Sequence, residues 1–300
     1  MMDQSGSMGD PTGASGTGIS KWESIKQALS TFVGDPASAG IGVGIQYFPK
    51  VIKGNFFTGD SYSCTISDYS KAEVGIAALP GVGPAIAQSI ANHGPDGNTP
   101  TAAALSGAII YAQNWAKQNP THTVVVAFAT DGEPTLCDPQ DIPSIANIAK
   151  NGANGSPKVL TFVIGVGSSL GSLNAIAAGG GTGQAFVVDT NGNVVTQFGA
   201  ALKAIQGKAL GCQYAIPVPT NGQPVDFSKV NVQTAVGGGA PQTLPYVADE
   251  AKCDPATGGW HYDDPVAPTK ILLCAQTCKT VTADTAAQVD IMLGCARVGK

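Results

Sequence analysis

The sequence predicts an α/β fold, in which a doubly wound and mostly parallel sheet carries helices on both faces and a small disulfide-rich β module follows. Strand-like and helix-like patterns alternate through residue 210, which is typical of parallel sheets built from β-α-β units. Residues 123–129 form a nearly unbroken apolar run, as expected for a strand covered on both faces. Past residue 210 the helical periodicity disappears and most of the cysteines follow. We therefore expect two domains, residues 1–210 and 211–300.

The elements of the first domain follow from hydrophobic periodicity and from turn residues. Apolar side chains at helical spacing predict helices at 20–34, 84–93, 101–119, 141–150, 169–178 and 194–207. Short apolar or alternating runs predict strands at 40–48, 72–79, 123–129, 158–166 and 185–188. Residues 49–72 are expected to form a polar loop that carries Cys64.

The second domain is predicted to contain only short strands between clusters of glycine and proline. These strand-like runs lie at 214–217, 230–235, 242–247, 260–262, 270–274 and 288–292. Five cysteines share the region, and we expect two disulfides within residues 212–295 with the fifth cysteine unassigned. The spacing of Cys274 and Cys278 would also suit zinc. Zinc is the less favoured alternative, because there is no second close pair and His261 is the only nearby histidine.

Composition limits the classes of partner. Charged residues are only 12% of the chain, the net charge is −5, and lysine and arginine do not cluster. Such a chain is a poor candidate for nucleic acid or an anionic membrane, and no stretch is long and apolar enough to span a bilayer. The cysteine content favours an oxidising, extracytoplasmic compartment, although no signal peptide precedes Asp3. Cys64 and Cys137 are expected to be either two inert thiols or one bridge.

Three separate stretches offer oxygen ligands for a hard cation. Residues 3–7 read D-Q-S-G-S, residues 97–101 read G-N-T-P-T just before the longest helical pattern, and residues 129–134 read A-T-D-G-E-P just after the apolar run. Each stretch lies at a predicted end of a strand or helix, and parallel sheets bind ligands at the carboxyl ends of their strands. Oxygen ligands suit Mg²⁺, which also retains several waters.

Taken together, these stretches resemble the metal-ion-dependent adhesion site of the von Willebrand factor type A family, written D-x-S-x-S, then Thr, then Asp. The resemblance covers residues 1–210 and is closest to bacterial secreted or surface members, while residues 211–300 resemble only the Cys-rich extensions attached to some of them. It implies a Mg²⁺ site, with Mn²⁺ or Ca²⁺ as alternatives, whose ligands are Asp3, Ser5, Ser7, Thr99 and Asp131. Thr101 is a less favoured substitute for Thr99.

The function that this resemblance implies is adhesion or assembly without catalysis. The bound ion would take its last ligand from an Asp or Glu carboxylate of a protein partner. One alternative is a metal-dependent hydrolase, for which Glu133 is the candidate base beside an activated water. Another is an intracellular chelatase or AAA-associated type A protein, which the cysteines and the low charge argue against.

The start of the sequence leads to one further expectation. In the type A fold the first metal-binding Asp ends a central strand, but only Met1 and Met2 precede Asp3. A strand usually has about five residues. We therefore expect the native protein to begin upstream, with the rest of this strand and a signal peptide.

Overall fold

The computed structural model describes residues 1–54, 59–120, 122–167, 171–209, 212–217, 219, 223–236, 239–283 and 287–299. The chain forms two compact units, Met1–Lys203 and Ala204–Lys300. The predicted domain boundary at residues 210 and 211 lies outside the described residues. Within the described ranges, no helix is both long enough and apolar enough to cross a membrane.

The first unit alternates strands and helices. Its strands are β1 (Met2–Asp3), β2 (Gly42–Ile45), β3 (Tyr47–Phe48), β4 (Val51–Ile52), β5 (Ser61–Tyr62), β6 (Val74–Ala78), β7 (Val125–Thr130), β8 (Leu160–Val166) and β9 (Phe186–Val188). The helices along this part of the chain are α1 (Lys21–Gly34), α2 (Ile66–Tyr69), α3 (Gly83–Ala91), α4 (Thr101–Gln118), α5 (Ile142–Ala153), α6 (Leu173–Gly179) and α7 (Val194–Ala209). The predicted start of α6 at Ser169 lies outside the described residues.

Five strands form a parallel sheet in the order β3-β1-β7-β8-β9. Along β8 every residue from Thr161 to Val166 is buried, so both faces of the sheet are covered there. The residues of β7 and β8 are mostly apolar, which is the composition that a strand without a solvent face requires. The prediction of an α/β fold with a parallel sheet flanked by helices is confirmed.

The core on one side of the sheet lies between β7, β8 and helices α4, α5 and α6. Phe128 from β7 is fully buried and stacks on Phe48 from β3, with ring centroids 4.9 Å apart. Ala104 and Leu105 from α4 and Ile145 from α5 are also completely buried. This packing holds β1 and β7 side by side, and therefore determines where their carboxyl ends lie.

Two predictions about residues 40–72 were wrong. The single strand predicted at 40–48 is divided, because β2 pairs antiparallel with β6 in a separate two-stranded sheet while β3 pairs parallel with β1. The polar loop predicted at 49–72 contains the β4–β5 hairpin and the short helix α2. Tyr69 explains part of this order, since its buried hydroxyl donates to Ser63 O (2.7 Å) and accepts from Lys50 N (3.1 Å).

The second unit consists mainly of antiparallel strands. They are β10 (Gln213–Ala215), β11 (Val230–Ala235), β12 (Gln242–Leu244), β13 (Trp260–Tyr262), β14 (Lys270–Leu273) and β15 (Gln288–Leu293). They form two three-stranded sheets, β10-β14-β13 and β12-β11-β15. A small core surrounds the fully buried Trp260.

Disulfides hold this unit as predicted. Cys212 is bonded to Cys278 and Cys253 to Cys274, which confirms two bridges. Because Cys274 and Cys278 belong to different disulfides, they are not a zinc pair. Cys295 is exposed and outside any disulfide, and all seven cysteines lie in the described ranges.

The prediction that this region contains only strands was wrong. Helix α8 (Ala275–Ala283) follows β14 directly. Leu273, Cys274, Thr277 and Val281 are buried, and from Cys274 onward these side chains recur at helical spacing. The pattern is visible in the sequence only if cysteine and threonine are counted as residues that can face a core.

Candidate metal site

The site lies where two neighbouring parallel strands end. Asp3 is the last residue of β1, and Asp131 follows the last residue of β7, Thr130. Met2 is paired with Ala129 across these strands, so the two carboxylates are brought to the same edge of the sheet although 127 residues separate Thr130 from Asp3. The predicted location of both residues at a strand end therefore agrees with the topology.

Asp3 is a fully buried carboxylate with polar neighbours. Its Oδ2 accepts a hydrogen bond from Thr130 Oγ1 (2.6 Å), and its Oδ1 accepts one from Ser5 N (2.7 Å). The pKa of Asp3 is raised to about 6, mainly by burial and also by the charge of Asp131, while the hydrogen bonds from Thr130 and Ser5 oppose the increase. A cation beside Asp3 would favour its ionised form.

A chain of hydroxyl contacts links the first motif to Asp131. Ser5 Oγ and Ser7 Oγ are 3.3 Å apart, and Ser7 Oγ donates to Asp131 Oδ1 (2.9 Å). A short 3-10 turn at Gly6–Gly9 lets the chain reverse here, and the Ser5 side chain does not cap it. The predicted ligands Ser5, Ser7 and Asp131 therefore converge.

Backbone hydrogen bonds attach the Thr99 stretch to the same edge. Gly6 N donates to Gly97 O (2.9 Å), and Asp96 N donates to Gln4 O (2.7 Å). Gly97 has a φ of 76°, and a Cβ there would lie 2.2 Å from the Tyr62 ring, so only glycine suits this turn.

Thr99 itself is buried and is held against the loop that follows Asp131. Its N–H donates to Thr135 Oγ1 (2.9 Å), and its carbonyl accepts from Thr135 N (3.1 Å). The backbone of Thr99 thus joins the third stretch, although these contacts do not define the direction of its hydroxyl. Thr101, the first residue of α4, has a buried Oγ1 without a hydrogen-bond partner among the described residues. Because this hydroxyl has no such partner, Thr101 remains the alternative to Thr99 as a ligand.

Lys21 is a charged neighbour of the site that the sequence did not reveal. Its Nζ lies 2.9 Å from Asp131 Oδ2, 3.2 Å from Ser7 O and 3.5 Å from Asp10 Oδ2. The Lys21 side chain is 14% exposed and that of Asp131 is 0% exposed. The only local signal was a lysine at the start of a helix, where the macrodipole favours an acidic residue instead.

The disulfide between Cys64 and Cys137 connects two loops beside this edge. Cys137 lies in the loop that follows Asp131, and Cys64 follows β5. Tyr62 OH from β5 donates to Asp96 Oδ1 (2.9 Å). Of the two alternatives predicted for Cys64 and Cys137, two inert thiols or one bridge, the structure contains the bridge.

Glu133, the candidate base of the hydrolase alternative, is exposed. Its carboxylate accepts a hydrogen bond from Ser172 Oγ, which follows β8. Glu133 therefore contacts the segment after β8, whereas Asp3 and Asp131 are buried at the sheet edge.

The donors present suit a hard cation. The convergent donors are the carboxylates of Asp3 and Asp131 and the hydroxyls of Ser5 and Ser7, all of which are oxygen ligands. Across the described ranges, no group of three or more His, Cys, Asp and Glu side chains is arranged to hold a metal ion. Any ion at this edge would therefore depend on hydroxyls, on water and on a ligand from elsewhere.

No protein-family model matches the sequence, and a search of curated proteins finds no significant match. A functional assignment therefore depends on the geometry of this edge and on the motif itself.

Proposed function

We propose that the first unit is a metal-ion-dependent protein-binding or adhesion module of the von Willebrand factor type A kind. Asp3, Ser5, Ser7, Thr99 and Asp131 would hold Mg²⁺, with Mn²⁺ or Ca²⁺ as alternatives. The observation that carries the proposal is the contact of Ser7 with both Ser5 and Asp131, which links the first and third motifs at the edge where β1 and β7 end.

The charge of the site supports binding of an acidic partner. Two carboxylates formally neutralise a divalent ion, and the hydroxyls add no further negative charge to it. An ion bound mainly by neutral oxygens remains a strong Lewis acid. An Asp or Glu carboxylate from a protein partner is the ligand that such an ion would accept most readily.

A non-enzymatic role is favoured by the surroundings of the site. The candidate base Glu133 is exposed and already engaged by Ser172. The buried Asp3 carboxylate accepts hydrogen bonds on both oxygens, which suits a supporting role better than proton transfer.

The disulfides support an extracytoplasmic setting, either secreted, periplasmic or on the cell surface. All three would be reduced in most cytosols, where thiol systems keep cysteines free. This compartment disfavours the intracellular chelatase or AAA-associated alternative and suits a protein that binds partners outside the cell.

Thermal unfolding and partner capture test the proposal together. Mg²⁺ or Mn²⁺ should raise the melting temperature of the wild-type chain, because an ion that binds only the native state stabilises it by about 2.7 kcal/mol at one hundred times the dissociation constant. Asp3→Ala and Asp131→Ala should abolish this rise. Capture of an Asp- or Glu-containing protein partner should occur in Mg²⁺ and fail in EDTA.

Glu133→Ala is the matched control, since it removes a carboxylate from the same loop as Asp131 and should retain most of the ion effect. Equal stabilisation of wild type and Asp3→Ala by the ion would exclude the proposed ligand set. Binding of a partner that is indifferent to EDTA would exclude a metal-bridged contact.

A further inference from the structure

We infer that Lys21 is a built-in competitor of the metal ion, which exchanges its contact with Asp131 for one with Asp10 when the ion binds. The inference rests on the proposed metal function and concerns how that site is regulated. Its basis is the position of the Lys21 ammonium, which lies among three oxygens, including one from Asp131 and one from Ser7. Asp131 and Ser7 are also two of the residues expected to serve the ion.

The helix itself gives no reason for a lysine at this position. Lys21 is the first residue of α1, whose N-terminus is capped by Ser20 Oγ accepting from Glu23 N (3.1 Å). A positive charge at this end opposes the helix dipole, which favours acidic side chains there. The contact with the buried Asp131 carboxylate offsets that disadvantage, so the lysine is explained by the site and not by the helix.

Lys21 and a divalent ion would compete for the same carboxylate. Ser7 and Lys21 occupy different oxygens of Asp131, so an ion that binds Asp131 would face the ammonium across one carboxylate group. The Asp131 side chain is completely buried, and water and salt therefore screen the repulsion between the two cations poorly. The lower-energy arrangement keeps only one of them on Asp131.

Asp10 provides the alternative partner for the displaced ammonium. Asp10 Oδ2 is already 3.5 Å from Lys21 Nζ, and its side chain is 64% exposed. A backbone hydrogen bond from Lys21 N to Asp10 O (3.0 Å) holds these two residues next to each other. Rotation within the flexible lysine stem is therefore sufficient, and no helix or loop has to move.

The exchange has a measurable consequence for affinity. In the ion-free protein the ammonium stabilises the Asp131 carboxylate, and the incoming ion must break that contact. The lysine therefore weakens ion binding while keeping the ion-free site folded. Coupling between two groups of this kind typically changes an affinity by a factor of about 5 to 150.

Titration calorimetry with Mn²⁺ and Mg²⁺ at fixed pH and ionic strength tests the exchange. Lys21→Met keeps the aliphatic stem and removes the charge, and it should tighten ion binding about tenfold. Lys26→Met is the matched control, because Lys26 lies on the same helix and pairs with Glu23, and it should change the affinity less than about twofold. Asp10→Asn should weaken binding about two- to fivefold, since the displaced ammonium loses its partner.

Amine labelling of the intact wild-type chain provides a second test that needs no substitution. With N-hydroxysuccinimidyl acetate and mass spectrometry, Lys21 should react faster when Mn²⁺ is bound, while Lys26 should react at an unchanged rate. Unchanged Lys21 labelling in an ion-bound protein would overturn the exchange.

The outcomes separate this inference from the function on which it rests. If wild type binds the ion and Lys21→Met binds it equally or more weakly, the exchange is wrong and the metal site stands. If neither binds an ion, both the metal function and the exchange are wrong. If Lys21→Met unfolds without the ion and refolds when Mn²⁺ is added, competition for Asp131 is supported.

Discussion

The two units use the same covalent bond in different ways. In the first unit the Cys64–Cys137 disulfide connects loops beside the sheet edge, where Cys64 is exposed and Cys137 is 9% exposed. In the second unit Cys212 and Cys274 are 2% and 1% exposed, and Cys212 belongs to the core cluster itself. The difference shows that a disulfide holds the loops of a site where the sheet already supplies a core, and completes the core where strands are short.

Removal of the disulfides gives the largest expected contrast. Cys64–Cys137 and Cys212–Cys278 span 73 and 66 residues, so loop entropy alone predicts about 4 kcal/mol for each. We expect the Cys212→Ser/Cys278→Ser pair to lose more of the free energy of unfolding than the Cys64→Ser/Cys137→Ser pair, by about 1–3 kcal/mol, because Cys212 is buried within a hydrophobic core cluster, where a serine hydroxyl is costly.

Urea unfolding followed by tryptophan fluorescence measures this contrast. Trp260 lies in the second unit, and a Trp260→Phe background identifies its signal. The Cys64→Ser/Cys137→Ser pair should in addition weaken ion binding, because it frees the loop after Asp131. Equal losses for the two pairs would mean that loop entropy dominates and that the buried environment of Cys212 contributes nothing.

The pH dependence of stability sharpens the comparison at the site. The pKa of Asp3 is about 6 in the folded protein and ordinarily 3.8, so the folded state binds this proton more tightly than the unfolded chain does. The resulting stability is fully present below about pH 4 and is lost as the pH rises through about 6. In metal-free buffer this residue should make the protein more stable at pH 5 than at pH 7 by about 1 kcal/mol, and the full effect between strongly acid pH and pH well above 6 should be about 3 kcal/mol.

Asp3→Asn and bound Mg²⁺ provide the two controls for this effect. The asparagine cannot titrate, so the increase toward acid pH that comes from Asp3 should disappear. Saturating Mg²⁺ should also reverse it, because the ion favours the carboxylate and competes with the proton. The same pH profile in wild type and Asp3→Asn, measured by thermal unfolding in EDTA, would contradict the assigned titration.

The smallest effect is expected at Cys295, which takes part in neither kind of disulfide. It is exposed and free, so Cys295→Ser should change the free energy of unfolding by less than about 0.5 kcal/mol. Alkylation of the non-reduced protein followed by mass spectrometry should label this thiol alone. Labelling of any other cysteine before reduction would contradict the bridges that define both units.

Local sequence patterns were sufficient to predict the elements whose apolar residues are buried in the folded protein. The apolar run before Asp131 forms β7, and the amphipathic pattern from Thr101 forms α4, each with bounds within two residues of the prediction. The first is a nearly unbroken apolar run and the second is a long amphipathic pattern, and both elements are largely buried. Helix α8 was missed because its buried face uses cysteine and threonine, which a hydrophobic pattern does not count.

The pairing of strands was decided only by the tertiary structure. Residues 40–48 read as one strand, but the two strands that form there, β2 and β3, join different sheets, since β6 and β1 are the partners that the rest of the fold makes available. A period of two identifies an extended chain and contains no information about its neighbours. Register and sheet membership depend on contacts that are distant in sequence.

The candidate site divides in the same way. The residue types and spacing of Asp3, Ser5 and Ser7 were enough to suggest an oxygen site, and the resemblance to the type A family implied that Asp3 ends a strand. The contact of Lys21 with Asp131, 110 residues away, was not foreseeable from either segment. The chemistry of a short motif can be read from the sequence because it depends on neighbouring side chains. The cation that balances a buried carboxylate comes from a distant segment, and only the tertiary structure brings the two together.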